Sequence, residues 1–167
     1  MLRYFWRILD KDTILFILEA NKLYLHMLTY LFPLCFLLYQ IIIDFVPLFP
    51  FNDVQSRDKR LRKFEVLGNY PPVLLITFCF YFNHSISLWI GYVLVLITML
   101  MHVFTWWIPY LFGFPNSVRS DYQKYFSRTY KFLPPIKNHI IPDAEHVGVG
   151  LLLLIIIIVQ SIYMFWV

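Results

Sequence analysis

Three runs without a formally charged residue, Leu23–Ile43, Ile86–Phe112 and Val147–Val167, govern what this chain can fold into. A helix rises about 1.5 Å per residue, so roughly 20 apolar residues cross a hydrocarbon core about 30 Å thick. A soluble fold would have to bury such runs on every side. The chain has 167 residues, of which 60% are apolar and 14% charged, whereas a soluble domain is about 45–50% apolar. The class expected is an all-α integral membrane protein. A fourth run, from Val66 to Ser87, also lacks formal charge but opens with Gly68, Asn69, Tyr70, Pro71 and Pro72. Proline removes a backbone donor and crowds the preceding turn, so this helix is expected to be short or irregular at its start. The pattern predicts one domain, a four-transmembrane-helix bundle with spans over 22–46, 66–84, 86–112 and 146–167.

Two amphipathic segments flank these spans. In 1–12, Arg3, Arg7 and Lys11 lie opposite Leu2, Phe5, Trp6 and Leu9, the pattern of an interfacial helix. Asp10, Lys11 and Asp12 break the apolar run too early for a secretory signal. In 117–133, Val118, Tyr122, Tyr125, Phe126, Thr129 and Leu133 form one stripe, with Asp121, Lys124, Arg128 and Lys131 on the other. That segment is expected to lie along the membrane surface until Pro134 and Pro135 end it. The spans on either side hold it against lipid, which argues against nucleic acid as a partner.

The cations are distributed unevenly. Connectors 49–65 and 113–146 carry ten, while the remaining segments carry four, so the positive-inside rule places both long connectors in the cytoplasm. The basic amino-terminal segment pulls the other way. Arg57, Lys59, Arg60, Arg62 and Lys63 form the densest cluster and are read as a topology signal. Each also attracts anionic headgroups by about 1 kcal/mol, and a specific phosphate site is the competing reading. Membrane lipids, including anionic headgroups, are therefore expected partners.

The candidate site residues fall at one end of the bundle. Asp44 closes the first span and either meets water at the boundary or faces inward to pair with a cation. Thr98, His102, Thr105, Trp106 and Pro109 follow helical spacing, and an ionisable group such as His102 inside a span is a site candidate. Trp106, Trp107 and Tyr110 form either an interfacial aromatic belt or the wall of a pocket. The segment NHIIPDAEH gathers His139, Asp143, Glu145 and His146. Asp143 and His146 are spaced i, i+3, compatible with a carboxylate orienting an imidazole, while Asp143 and Glu145 also suit a helix N-terminus. The ligand-binding set expected is Asp44, His102, Trp106, Tyr110, Asp143 and His146. His139, Asp143 and His146 are weak metal candidates, and no cofactor is expected. Asn52 or Asp53 is expected to cap the next helix, Gly148 and Gly150 to let another backbone approach, and Cys35 and Cys79 to be buried packing residues.

The blocks DFVPLFPFND, TWWIPYLFG, TYKFLPP and IPDAEH resemble segments of small, uncharacterised bacterial membrane proteins with four spans, in scattered blocks over half of the chain. The resemblance implies a bacterial inner or plasma membrane and transfers no activity. Three functions follow. The leading one is binding, or helping to transport, a lipophilic or cationic small molecule at the aromatic, polar-lined end of the bundle. A membrane-embedded metal-assisted or acid/base enzyme using His102, His139, Asp143 and His146 comes second, since HExxH and GxSxG are both missing. A structural, immunity-type or subunit protein that pairs with another membrane protein is the third.

Overall fold

The structure, a computed structural model, describes residues 11–115 and 118–166, and its described residues are helical with no strand. The amphipathic segment expected over 1–12 lies almost wholly outside the described residues. Helix α1 is Lys11–Phe45, α2 is Lys59–Tyr81, α3 is Ser85–Phe112 and α5 is Ala144–Trp166, with a short α4 beginning at Val118–Asp121 and widening into a π-type turn over Tyr122–Phe126. Helices α1, α3 and α5 are long and apolar enough to cross a membrane.

The four long helices form a closed ring. Helix α1 packs against α2 and α5, α3 packs against the same two, and α1 and α3 are diagonally opposed. Every helix contributes to the central layer, through Phe36, Val73, Ile76, Phe80, Val95, Leu153 and Ile156. Association in lipid draws on close packing and interhelical hydrogen bonds, because apolar surface gains little by leaving acyl chains. Gly91 illustrates the closeness, since a Cβ there would stand 2.8 Å from that of Cys79 across the α2–α3 contact.

That layer separates two polar ends. At one, His26 Nε2 lies 2.8 Å from the Phe80 carbonyl oxygen, Gln160 Nε2 donates to the Thr29 carbonyl and Tyr163 donates to Asn83 Oδ1. At the other gather the carboxyl end of α1, the starts of α2 and α5, the end of α3 and both long connectors. The sequence places both connectors at one end, as the structure does.

Several boundaries differ from the expected ones. Helix α2 begins at Lys59 and continues through Pro71 and Pro72 without a break. Asp58 caps it, accepting from the Leu61 N–H at 2.9 Å, so neither Asn52 nor Asp53 does. Asn52 instead folds back on α1, donating to the Ile43 and Val46 carbonyls and accepting from Leu48 N–H, which closes that helix. The surface helix is shorter than 117–133. It ends after Phe126, where Lys131 Nζ donates to the Phe126 and Thr129 carbonyls and Tyr130 N–H turns away to the Pro50 carbonyl. Cys79 is buried as expected, but Cys35 is exposed on the outside of α1.

Candidate functional site

The centre of the polar end is Arg57. It follows the short turn Val54–Ser56, which carries the chain from α1 toward α2, and its side chain is only 1% exposed. The guanidinium meets a carboxylate from each of three helices. Nη1 donates to Asp44 Oδ1 of α1 at 2.9 Å and to Glu65 Oε2 of α2 at 3.3 Å. Nη2 donates to both oxygens of Glu145 of α5, at 2.7 and 2.6 Å. A planar fork with five N–H donors suits such convergence better than a lysine ammonium would. Arg57 was expected to be one of five exposed topology cations, and the structure corrects this by burying it. Its burial is possible because these acids surround it.

Two tyrosines extend the network. Tyr70 donates to Asp44 Oδ2 at 2.9 Å, and Tyr39 donates to the Glu145 carbonyl at 3.0 Å. Gly148 permits the latter, because a Cβ there would overlap the Tyr39 hydroxyl. Close approach at this glycine is therefore by a side chain, where a backbone neighbour was expected.

Charge does not balance within the cluster, where three carboxylates face one guanidinium. Burial opposes the charge on Arg57, yet Glu145, Glu65 and Asp44 together hold its proton more tightly than water does. Glu65 precedes the apolar run that starts at Val66. Burial pushes its carboxyl up to about 7, with Asp44 and Glu145 adding to the rise and Arg57 and His146 opposing it. Glu65 is thus an acid of this cluster that titrates near neutral pH.

A second group adjoins the first. Asp143 is fully buried, and its Oδ1 accepts the His146 N–H at 3.1 Å and lies 2.6 Å from His146 Nδ1. Thr129 donates to its other oxygen at 2.5 Å. Burial alone would raise the Asp143 carboxyl, but His146 and the hydrogen bonds from His146 and Thr129 bring it below the ordinary value. Asp143 is thus both a cap for α5 and an imidazole partner, while Glu145 is no cap and pairs with Arg57. The His146 ring stacks on Trp106, with centroids 3.4 Å apart, and Phe126 meets it edge-on at 5.0 Å. Phe126 also lies beneath the Arg57 guanidinium at 5.5 Å, so one aromatic ring joins the two groups.

Helix α3 brings up the far wall. It widens into a π-type turn over Val103–Trp107, and His102, Trp106, Pro109 and Tyr110 are all buried along it. Thr105, expected to share that face, instead donates to the Met101 carbonyl of its own helix. His102 lies against α5, where a Cβ at Gly150 would stand 3.0 Å from its Nε2, an atom that is buried without a hydrogen-bond partner. Tyr110 donates to the Pro134 carbonyl, and its own carbonyl oxygen lies 2.8 Å from His139 Nδ1. Tyr110 and His139 thus tie the second connector to α3, away from Asp143 and His146. Among the described residues no three His, Cys, Asp or Glu side chains are grouped to hold a metal ion.

Of the expected set, then, Trp106, Asp143 and His146 form one cluster with His102 beside it, and Asp44 joins through Arg57. Glu65 and Glu145 are the main acids not foreseen as site residues. The available signal was that three of the four apolar runs have an acid at or beside this end, Asp44, Glu65 and Glu145, while Arg57 stands ahead of the denser Lys59–Lys63 run. No protein-family model, curated protein or solved structure matches this chain.

Proposed function

We propose that this is a four-span membrane protein that binds a cationic, lipophilic small molecule at the end of its bundle, or assists its passage. The observation that carries the reading is the excess of carboxylates in the buried cluster, with Asp44, Glu65 and Glu145 around Arg57 alone. A buried excess of negative charge is stabilised by a proton or by another cation, and Glu65 is a group poised to exchange one for the other. The aromatic rings of Trp106 and Phe126 supply the neighbouring surface that a lipophilic cation prefers. Helix α2 acts as the fourth span in this reading, supported by its place in the ring between α1 and α3. A channel has less support, because Phe36, Ile76, Val95 and Leu153 fill the middle of the bundle. Acid/base catalysis has less support too, since the Thr129 hydroxyl donates to Asp143, and the His146 Nδ1 faces the Asp143 carboxylate.

The test is equilibrium binding of tetraphenylphosphonium to the purified full chain, with tetraphenylborate as the anion of matching shape. Saturable binding of the cation alone, weakened by acid and by Glu65→Gln, is expected. Equal uptake of both ions, or cation binding indifferent to Glu65→Gln, overturns the reading.

A further inference from the structure

A second candidate site lies outside the buried cluster, where α2 begins. A cleft of about 300 Å³ there is lined by Asp58, Arg60, Leu61, Phe64, Lys124 and Tyr125, among others. Within it Asp58 is already engaged, accepting from Lys124 Nζ at 2.9 Å and from the Tyr125 hydroxyl at 2.5 Å. Lys59, Arg60 and Lys63 are exposed and take part in none of the ion pairs between described residues. Asp58 and Asp121 balance Lys124 and Arg60 within the lining, so the positive excess lies beside the cleft, on the exposed Lys59 and Lys63 of α2.

The surface leading away from the cleft is apolar and continuous. Arg60 lies one turn above Phe64, its guanidinium 5.8 Å from the ring centroid, and Lys63 lies one turn above Leu67. Below them Phe64, Leu67, Leu74, Leu75 and Phe78 are all exposed, at the spacing of one helix face. Gly68 adds no side chain to this face, and a Cβ built there meets nothing within 4 Å, so the strip is open to a neighbour. Two positive heads over an exposed apolar strip match a molecule with an anionic head and long hydrocarbon tails.

We propose that this face of α2 is a specific seat for an anionic phospholipid, the phosphate held by Arg60 and Lys63 and one acyl chain lying over Gly68 along Phe64 and Leu67. The seat is separate from the buried cluster and depends only on α2 facing lipid. Two cations each attracting an anionic headgroup set the preference over a zwitterionic lipid at about tenfold or more.

The experiment reconstitutes the full chain and titrates phosphatidylglycerol and phosphatidylcholine of identical acyl chains, reading lipid retained by native mass spectrometry and the shift in thermal unfolding. Phosphatidylglycerol is expected to bind about tenfold tighter, and Arg60→Gln with Lys63→Gln should erase that preference. Gly68→Trp places a bulky ring in the path of the acyl chain and should weaken both lipids, while Arg128→Gln, a basic-to-neutral change outside the cleft, should alter neither. Equal affinity for the two lipids, or a preference that survives the paired charge variant, refutes the seat. Binding untouched by Gly68→Trp refutes the acyl-chain placement and with it the proposal. If tetraphenylphosphonium binding persists in the Arg60/Lys63 variant, the buried site and the lipid seat are shown to be independent.

Discussion

Replacing Arg57 with methionine should destabilise the protein by about 3–5 kcal/mol at neutral pH, the range for breaking a buried ion pair by removing one partner. The side chain volumes are similar, so the loss is of charge and hydrogen bonds. Four donated hydrogen bonds vanish, two of them to Glu145, and three buried carboxylates from three helices are left facing one another. The cost should shrink in acid, because protons can then do for the carboxylates what the guanidinium did. Thermal unfolding in one detergent, followed from about pH 5 to pH 8, measures both parts. If Arg57→Met unfolds within about 1 kcal/mol of the parent at pH 8, or its deficit is the same at both ends of the range, the guanidinium is not what holds the three helices together and the account given for this end of the bundle fails.

Other expectations follow from the same contacts. The Glu65 carboxyl is raised from 4.5 to about 7 on folding, so the folded state holds more protons in that window and stability should fall as pH climbs through it, by roughly 3 kcal/mol in all. Glu65→Gln should flatten that slope and raise stability at pH 8, and an unchanged melting profile would count against the shift. Gly148→Ala should cost about 1–3 kcal/mol by overpacking, and less in a Tyr39→Phe background, where the obstructing hydroxyl is absent; a double-mutant cycle with no coupling contradicts the contact. Gln160→Leu removes a buried carbonyl that has no partner together with one long hydrogen bond to Thr29, so it should be neutral or stabilising within about 1 kcal/mol. A loss well beyond that in chemical denaturation would mean that Gln160 has a partner in the membrane. Arg128→Gln breaks an ion pair with Asp53 on an exposed side chain and should change stability by no more than about 1 kcal/mol.

How much of this was legible in the sequence depends on the distance over which each feature is determined. Helices α1, α3 and α5 are written in consecutive residues, since a charge-free run is a local property, and each contains the described residues of the run that pointed to it, although α1 starts well before its run, at Lys11. Helix α2 was harder, because Pro71 and Pro72 argue locally for a break while its neighbours α1 and α3 hold it helical. The pairing of Asp143 with His146 was readable from i, i+3 spacing. Arg57 was not readable, because its burial is set by acids 8, 13 and 88 residues away, and a cation beside four others looks like surface charge. The stack of Trp106 on His146 was likewise hidden, since it requires α3 and α5 to meet in one register. The π-type turn at Val103–Trp107 was hidden too, because nothing in helical periodicity announces an extra residue in one turn.

The arrangement around Arg57 also imposes an order on biogenesis. A ribosome delivers Asp44, Arg57 and Glu65 close together in time, so α1 and α2 can pair with their charges already partly matched. Glu145 emerges 88 residues after the arginine it clasps with both oxygens, when the rest of the ring has already been made. Until α5 arrives, the guanidinium lacks its closest partner and the nascent bundle has an open seam between α1 and α3. Arrival of α5 and closure of the charge cluster are therefore one event, and a chain halted before Glu145 would carry an arginine that has only part of its shell.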